Sequence, residues 1–224
     1  MKFVALSAVF VCFLGVTSAP AESDEATERT NQGIELLKQG KFDEAIAPLL
    51  KSVELSPKDP AGRTNLAYAY DQQGRIDEAI SQYQKAIELN PRHPTAHNNL
   101  GVLYSKKGQY DEAIREFEVV LEIDPSSVTG PKNLETAKKN RAAIREQQQQ
   151  LADAVKEVEA QPENSLSAYK LARLYAFYGK KDQALEWLAR ALKIGFHDVA
   201  FLKKDTALDS LRDDPDYVWL LRGR

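Results

Sequence analysis

The heptapeptide GKFDEAI at residues 40–46 returns as GRIDEAI at 74–80 and as GQYDEAI at 108–114, so the same residue types recur every 34 residues. A fixed period of this length means one supersecondary unit copied along the chain. Each copy is too small to bury its own apolar face and must stack on the next. The period defines units at 26–59, 60–93 and 94–127 within a repeat region of 22–127. A fourth copy, GKKDQAL at 179–185, follows the third by 71 residues, three more than two periods.

Each unit reads as two helices. An amphipathic stretch such as Thr64 to Gln73 ends at a glycine (Gly40, Gly74, Gly108), which takes the left-handed conformation that closes a helix. A second stretch begins near Asp43, Asp77 or Asp111, whose carboxylate is expected to accept from free N–H groups at the helix start. Small residues recur where paired helices must approach: Gly33, Ala67 and Gly101 on the first helix, Ala45, Ala79 and Ala113 on the second. Leu66, Leu100, Tyr70, Tyr104, Tyr83 and Phe117 fill the space between. Pro57, Pro91 and Pro125 close the units, because proline disfavours helical geometry in the residue before it. Pro48 lies inside a second helix and predicts a bend or a lost hydrogen bond.

The segment NLAYAYDQQGRIDEAISQYQKAIELNP carries this pattern in full and resembles the tetratricopeptide repeat family. LARLYAFYGKKDQALEWLARAL keeps Leu171, Ala172, Tyr175, Gly179, Ala184, Leu188 and Ala191, giving a further unit at 165–198. The resemblance implies an all-α superhelix, an α-solenoid. It also implies a concave groove lined by the first helix of each unit, here Thr30, Asn31, Ile34, Leu37 and Lys38, then Thr64, Asn65, Tyr68, Asp71 and Gln72, then Asn98, Asn99, Val102, Ser105 and Lys106. Asn31, Asn65 and Asn99 form a ladder of amides able to donate to and accept from a peptide backbone. In the last unit the matching positions are Leu166, Tyr169, Lys170, Arg173, Ala176 and Phe177, with Tyr169, Arg173 and Phe177 forming a second, more aromatic and basic surface. Family members that grip chaperone C-termini use a lysine, arginine and asparagine clamp. Thr30, Ile34, Thr95 and Asn99 stand where that clamp needs other residues and only Asn65 agrees, so that function is not expected.

Counted back from the fourth copy, the intervening segment 128–164 lacks the signature. Lys138 stands where a small residue is needed and Arg145 replaces the turn glycine. From Lys132 to Gln161 there is neither glycine nor proline, and strong helix formers dominate. One helix of about 45 Å is expected, with Leu134, Ala137, Arg141, Ile144, Gln148, Leu151, Val155 and Val158 in a seven-residue register. The alternative is a degenerate repeat whose two helices turn near Asn140. Residues 199–224 read as a C-terminal cap built from apolar clusters, with Phe201, Leu208, Leu211, Tyr217, Trp219 and Leu220, joined by Phe196 just before them, covering the last repeat.

The N-terminus has Lys2, an apolar run from Phe3 to Val16, and Ala19, Pro20 and Ala21 before the first acid at Glu22. This is the form of a secretory signal peptide over 1–21, and its run of fourteen apolar residues would span only about 21 Å as a helix against the ~30 Å hydrocarbon core, which makes a permanent membrane anchor the weaker alternative. A periplasmic or secreted protein is expected, with no membrane span in its mature form. The single cysteine, Cys12, lies inside that segment, so the mature chain has no disulfide.

Composition narrows the functions. With 30 basic and 33 acidic residues interspersed, the chain lacks the basic face of a nucleic-acid binder. His93 and His97 share a spacing of four but have Pro94 between them and no third ligand, so neither a metal nor any other cofactor is expected. The repeated Asp-Glu pairs are explained by helix starts and no phosphate loop or nucleophile elbow is present. The chain reads as a noncatalytic scaffold that binds a protein or peptide partner in its groove. The alternative is a structural self-assembler forming homo-oligomers through the 132–161 helix or the repeat ends.

Overall fold

The computed structural model describes residues 19–222, and all their regular structure is helical. The predicted signal segment falls outside the described residues except for its last three, which begin the first helix. Two compact units divide the described residues, unit 1 ending at Lys138 and unit 2 beginning at Lys139.

Unit 1 contains α1 (Ala19–Lys38), α2 (Phe42–Leu55), α3 (Pro60–Gln72), α4 (Ile76–Leu89), α5 (Pro94–Lys106) and α6 (Tyr110–Ile123). They pack as the hairpins α1/α2, α3/α4 and α5/α6, with α2 against α3 and α4 against α5. Each hairpin turns on a glycine with positive φ, 73° at Gly40, 75° at Gly74 and 73° at Gly108. The turns share one hydrogen-bond pattern, in which the Gly74 amide donates to Asp71 and the Arg75 amide reaches back to Tyr70, both at 2.9 Å. This pair satisfies carbonyls that the end of α3 would leave unpaired.

The second helices start earlier than the aspartates suggest. Lys41, Arg75 and Gln109 occupy the N-cap positions and make no side-chain cap bond. Asp43, Asp77 and Asp111 therefore lie within the first turn, where favourable interaction with the helix dipole replaces the expected cap. Side-chain caps occur instead on the first helices. Asp59 accepts from the amides of Ala61 and Gly62, and His93 from that of Ala96, with Pro60 and Pro94 supplying the favoured first helical residue.

The small residues set the packing distance. A Cβ on Gly33 would stand 2.4 Å from Leu49 Cγ, and one on Gly101 would stand 2.7 Å from the Phe117 ring. Ala45, Ala79 and Ala113 are fully buried opposite them, with Leu66, Tyr83 and Phe117 filling the interior. α2 runs unbroken through the buried Pro48, which has no N–H to offer the carbonyl of Glu44.

α7 (Gly130–Ala160) is one continuous helix, so the turn near Asn140 does not occur. Its seven-residue stripe is not a continuous seam. Leu134 and Ala137 pack on Ala113, Ile114 and Phe117 of unit 1, and Lys138 pairs with Glu118 at 3.0 Å. Leu151 and Val158 pack on Leu171 of unit 2. Between them Ile144 and Gln148 are exposed and Arg141 is half-exposed, because each unit takes only the end of the helix that meets its own core.

Unit 2 continues with α8 (Ser165–Phe177) and α9 (Lys181–Lys193), which turn at Gly179 (φ 70°), and then with the C-terminal segment. That segment holds α10 (Val199–Leu202), a 3-10 helix (Thr206–Leu211) and α11 (Pro215–Leu221). Its Leu208, Leu211 and Tyr217 join the core with Leu188 and Leu192, and Phe196 and Leu220 pack at its edge. Two expected cap residues differ: Trp219 is 70% exposed and Phe201 46%. On α11, Tyr217 and Leu221 are one turn apart and both face inward, which turns Trp219 outward. Leu202 and Leu221 are buried in the core instead.

Candidate groove sites

In unit 1 the residues expected to line a groove lie on α1, α3 and α5, and Asn133 lies in the first turn of α7. Asn31 and Lys38 are exposed on α1 and Ile34 is half-buried. On α3, Asn65 is half-buried, Gln72 is exposed, and Tyr68 is 38% exposed with Phe42 edge-on to its ring at 6.3 Å. Thr64 is buried instead of lining a surface, its hydroxyl donating to the Pro60 carbonyl at 2.7 Å. On α5, Val102 is half-buried and Lys106 reaches across to α3, its ammonium 2.6 Å from the Asp71 carboxylate. The pair ties the first helices of successive repeats.

Asn98 and Asn99 belong to a directional relay. The amide nitrogen of Asn133 on α7 donates to Asn98 Oδ1 at 3.0 Å, that of Asn98 to Asn99 Oδ1 at 3.2 Å, and that of Asn99 to the Tyr83 hydroxyl at 3.0 Å. Tyr83 is fully buried on α4, and burial pushes its phenol pKa up, so the ring stays neutral and able to donate. The three asparagines are half-exposed. Each amide carries two N–H donors and an oxygen with two lone pairs, so each retains capacity beyond the relay.

Asn133 and Tyr83 were not among the sequence-derived groove residues. Asn133 stands 34 residues after Asn99 and continues the ladder, a signal hidden by reading the segment in the register of the fourth copy.

In unit 2 the second surface is only partly open. Tyr169 is buried, stacked on Phe196 with ring centroids 4.4 Å apart, and its hydroxyl donates to Asp205. It presents no surface because the C-terminal segment lies over it. Arg173 and Phe177 remain exposed. Asp205 is itself buried: Oδ2 takes the Tyr169 hydroxyl and, at 2.8 Å, the Arg173 Nε, while Oδ1 takes the Ala207 amide at 3.1 Å.

The histidine pair has structural roles. His93 Nδ1 faces the Ala96 amide at 3.4 Å and its Nε2 faces the Thr64 hydroxyl at 3.5 Å. His97 lies between the Glu116 carboxylate at 2.6 Å and the Pro91 carbonyl at 3.0 Å. Both partners are acceptors, so both hydrogen bonds form together only when each ring nitrogen carries a proton. Its pKa is raised by the hydrogen bond to Glu116, with burial opposing. Among the described residues no cluster of three acids, histidines or cysteines has metal-binding geometry, and no helix is long and apolar enough to cross a membrane.

Models of the tetratricopeptide repeat match residues 30–88 and 94–127, and a further model of the repeat matches 71–108. No curated protein matches the chain at a significant level. Among solved structures, the first repeat domain of Spaghetti (RPAP3) bound to an HSP90 peptide is similar at 29% identity and a TM-score of 0.53, over 54% of this chain and 95% of that one. The first repeat domain of the human RPAP3 protein gives 27% identity and a TM-score of 0.53 over 55% of this chain and 98% of its own. MamA of Desulfovibrio magneticus RS-1, from its residue 41 to the end, matches in fold at 20% identity and 0.50, over 76% of this chain and 95% of that one.

Proposed function

From the premise that this chain is a tetratricopeptide-repeat protein, its repeats matched over residues 30–127, we propose that unit 1 binds an extended segment of a partner protein through that segment's backbone. The relay from Asn133 through Asn98 and Asn99 to Tyr83 carries this reading. An extended strand turns its N–H and C=O groups outward at regular intervals, and the amides' remaining donors and acceptors suit both. Recognition of this kind tolerates varied side chains, with Tyr68, Ile34 and Val102 adding apolar contact. Asn31, Asn65, Gln72, Lys38 and Lys106 complete the proposed lining.

The similar domain of Spaghetti is bound to an HSP90 peptide in its structure, which supports peptide binding as the use of this scaffold. The ligand here differs, because Thr30, Ile34 and Thr95 stand in place of the clamp that grips a terminal carboxylate. The chain acts as a noncatalytic scaffold. The apolar segment after Lys2 supports export, which places the partner in the envelope or outside the cell. Self-assembly through α7 is less favoured, since Ile144 is the only large apolar side chain in its stretch 139–150.

A photo-crosslinking residue at position 68 of the exported protein tests the proposal. Capture of one partner is expected, reduced about fivefold by Asn99→Ala and by Asn133→Ala, as for loss of one hydrogen bond of about 1 kcal/mol. Capture unchanged in both variants overturns the reading. Residues 1–21 fused to a reporter active only outside the cytoplasm test export, which fails if the reporter stays silent.

A further inference from the structure

Two repeats of unit 1 build the same clasp from different chemistry. In the second, Arg63 of α3 donates to the Pro57 carbonyl at 2.8 Å and to the side-chain oxygen of Gln82 on α4 at 3.3 Å. Thirty-four residues later each member recurs at the equivalent place: His97 on α5 for Arg63, Pro91 for Pro57, and Glu116 on α6 for Gln82. The His97 ring meets the Pro91 carbonyl at 3.0 Å and the Glu116 carboxylate at 2.6 Å. Both clasps tie the first helix of a repeat to the loop that enters it and to the second helix of the same hairpin. In the first repeat Pro48 stands at the second-helix position, and Arg29 turns to Glu25 of its own helix at 3.4 Å.

The exchange of residues changes what the clasp responds to. A guanidinium keeps its proton and all its donors throughout the neutral range, and Gln82 carries no charge. An imidazole donates from both nitrogens only as the cation, whose charge is lost close to neutral pH. Once neutral, His97 turns a lone pair toward either the carboxylate or the carbonyl, and its side chain is only 7% exposed, so water cannot readily replace the lost bond. Glu116 brings charge to the ring from α6, and the loop after α4 brings the Pro91 carbonyl. Arg115, beside Glu116, pairs with Glu112 at 3.2 Å, and His93 engages the Ala96 amide and the Thr64 hydroxyl. The two residues that follow His97 on α5 are Asn98 and Asn99, the middle of the relay to Tyr83.

We infer that the His97–Glu116 clasp is a pH switch on the partner site of unit 1: the protonated ring pins the start of α5 and the asparagine relay, and loss of the proton releases both. The inference rests on the backbone-binding reading above and gives that site a regulator. Binding is strongest while His97 is charged and weakens as pH rises through its titration. By linkage, an occupied site holds the His97 proton more tightly than an empty one. Arg63 keeps the second repeat constant over the same range, so the response is confined to α5.

Carbon-13 resonances of the His97 ring and of the Asn98 and Asn99 side-chain carbonyls, followed through a pH titration of the full mature chain, read the switch without a partner. The asparagine signals should move with the midpoint of His97. His97→Arg combined with Glu116→Gln installs the clasp of the second repeat and should hold them still. Glu116→Gln alone should shift the midpoint to lower pH, which keeps the test decisive if the paired variant loses its helical circular dichroism signal. His93→Asp places there the residue type that Asp59 supplies one repeat earlier, and should leave the response intact. Capture by the crosslinker at position 68 should be about fivefold weaker at about pH 9 than at about pH 6, and equal at both in the paired variant. Asparagine resonances indifferent to the ionisation of His97, or capture by the unaltered protein that does not change with pH, overturn the switch. Absence of capture at every pH counts against the backbone-binding reading instead, and the resonances alone then decide the switch.

Discussion

The Tyr169 hydroxyl donates to Asp205, thirty-six residues further along, and both groups are buried. Burial, then the hydrogen bond to Asp205, raises the tyrosine pKa, so the phenol keeps its proton. The bond fastens the C-terminal segment across the first helix of the last repeat, and Arg173 strengthens it from the solvent side.

Removing the carboxylate leaves a buried hydroxyl, a guanidinium and the Ala207 amide without their acceptor. Asp205→Ala should destabilise unit 2 by roughly 2–3 kcal/mol, with Arg173's contribution reduced by its exposure. Tyr169→Phe removes one donor and should cost about 1 kcal/mol. Both tryptophans, Trp187 and Trp219, lie in this unit, so urea unfolding followed by tryptophan fluorescence isolates it. Equal midpoints for the two variants and the unaltered protein would refute the role given to this bond.

Gly101→Ala should destabilise unit 1 by about 1–3 kcal/mol, because its Cβ would press on the Phe117 ring in a filled core. Gly108→Ala meets no neighbour, so only its positive φ opposes the change. Its cost should be about 1–2 kcal/mol. Thermal unfolding followed by far-ultraviolet circular dichroism measures both, and recovery of Gly101→Ala by Phe117→Leu would identify the ring as the obstacle.

His97 makes unit 1 sensitive to pH. The hydrogen bond to Glu116 raises its folded pKa above the ordinary value, against the effect of burial. Stabilisation is therefore complete below about 6.5, the unfolded value, and is lost as pH rises through the higher folded value. The melting temperature should fall between pH 6 and pH 9 by more in the unaltered protein than in His97→Gln. Parallel pH profiles for the two would exclude this coupling.

The stripe on α7 predicts unequal sensitivity along one helix. Ile144→Lys should change stability by less than about 0.5 kcal/mol, since the side chain is already exposed. Leu151→Ala should cost about 2–3 kcal/mol through the cavity it leaves beside Leu171. Denaturation of each variant would reveal a continuous coiled-coil seam if both were equally damaging.

Local rules made much of this fold legible. A glycine that ends one helix, a small residue facing Leu49 or Phe117, and a proline that closes a unit each act within a few residues of a repeated motif. The caps were misplaced because the second helices begin two residues after the glycine, which leaves Asp77 inside the first turn. Asn133 is masked in the sequence because three extra residues shift the register between the third and fourth copies. The structure follows the forward spacing from Asn99. Tyr169 occupies a position that the repeat pattern assigns to a surface, but here it is buried. Its contact with Asp205 joins distant residues in a segment without periodicity, and no spacing rule announces it.

The exposed middle of α7 bears on how the protein melts. In a repeat array cooperativity passes from one unit to the next through packed interfaces. Along residues 139–150 every side chain is exposed or half-exposed, so this stretch of the helix contributes no buried core of its own. Hydrogen exchange should then be fastest at the centre of the longest helix, with the amides on either side protected to different depths, as two separate foldons.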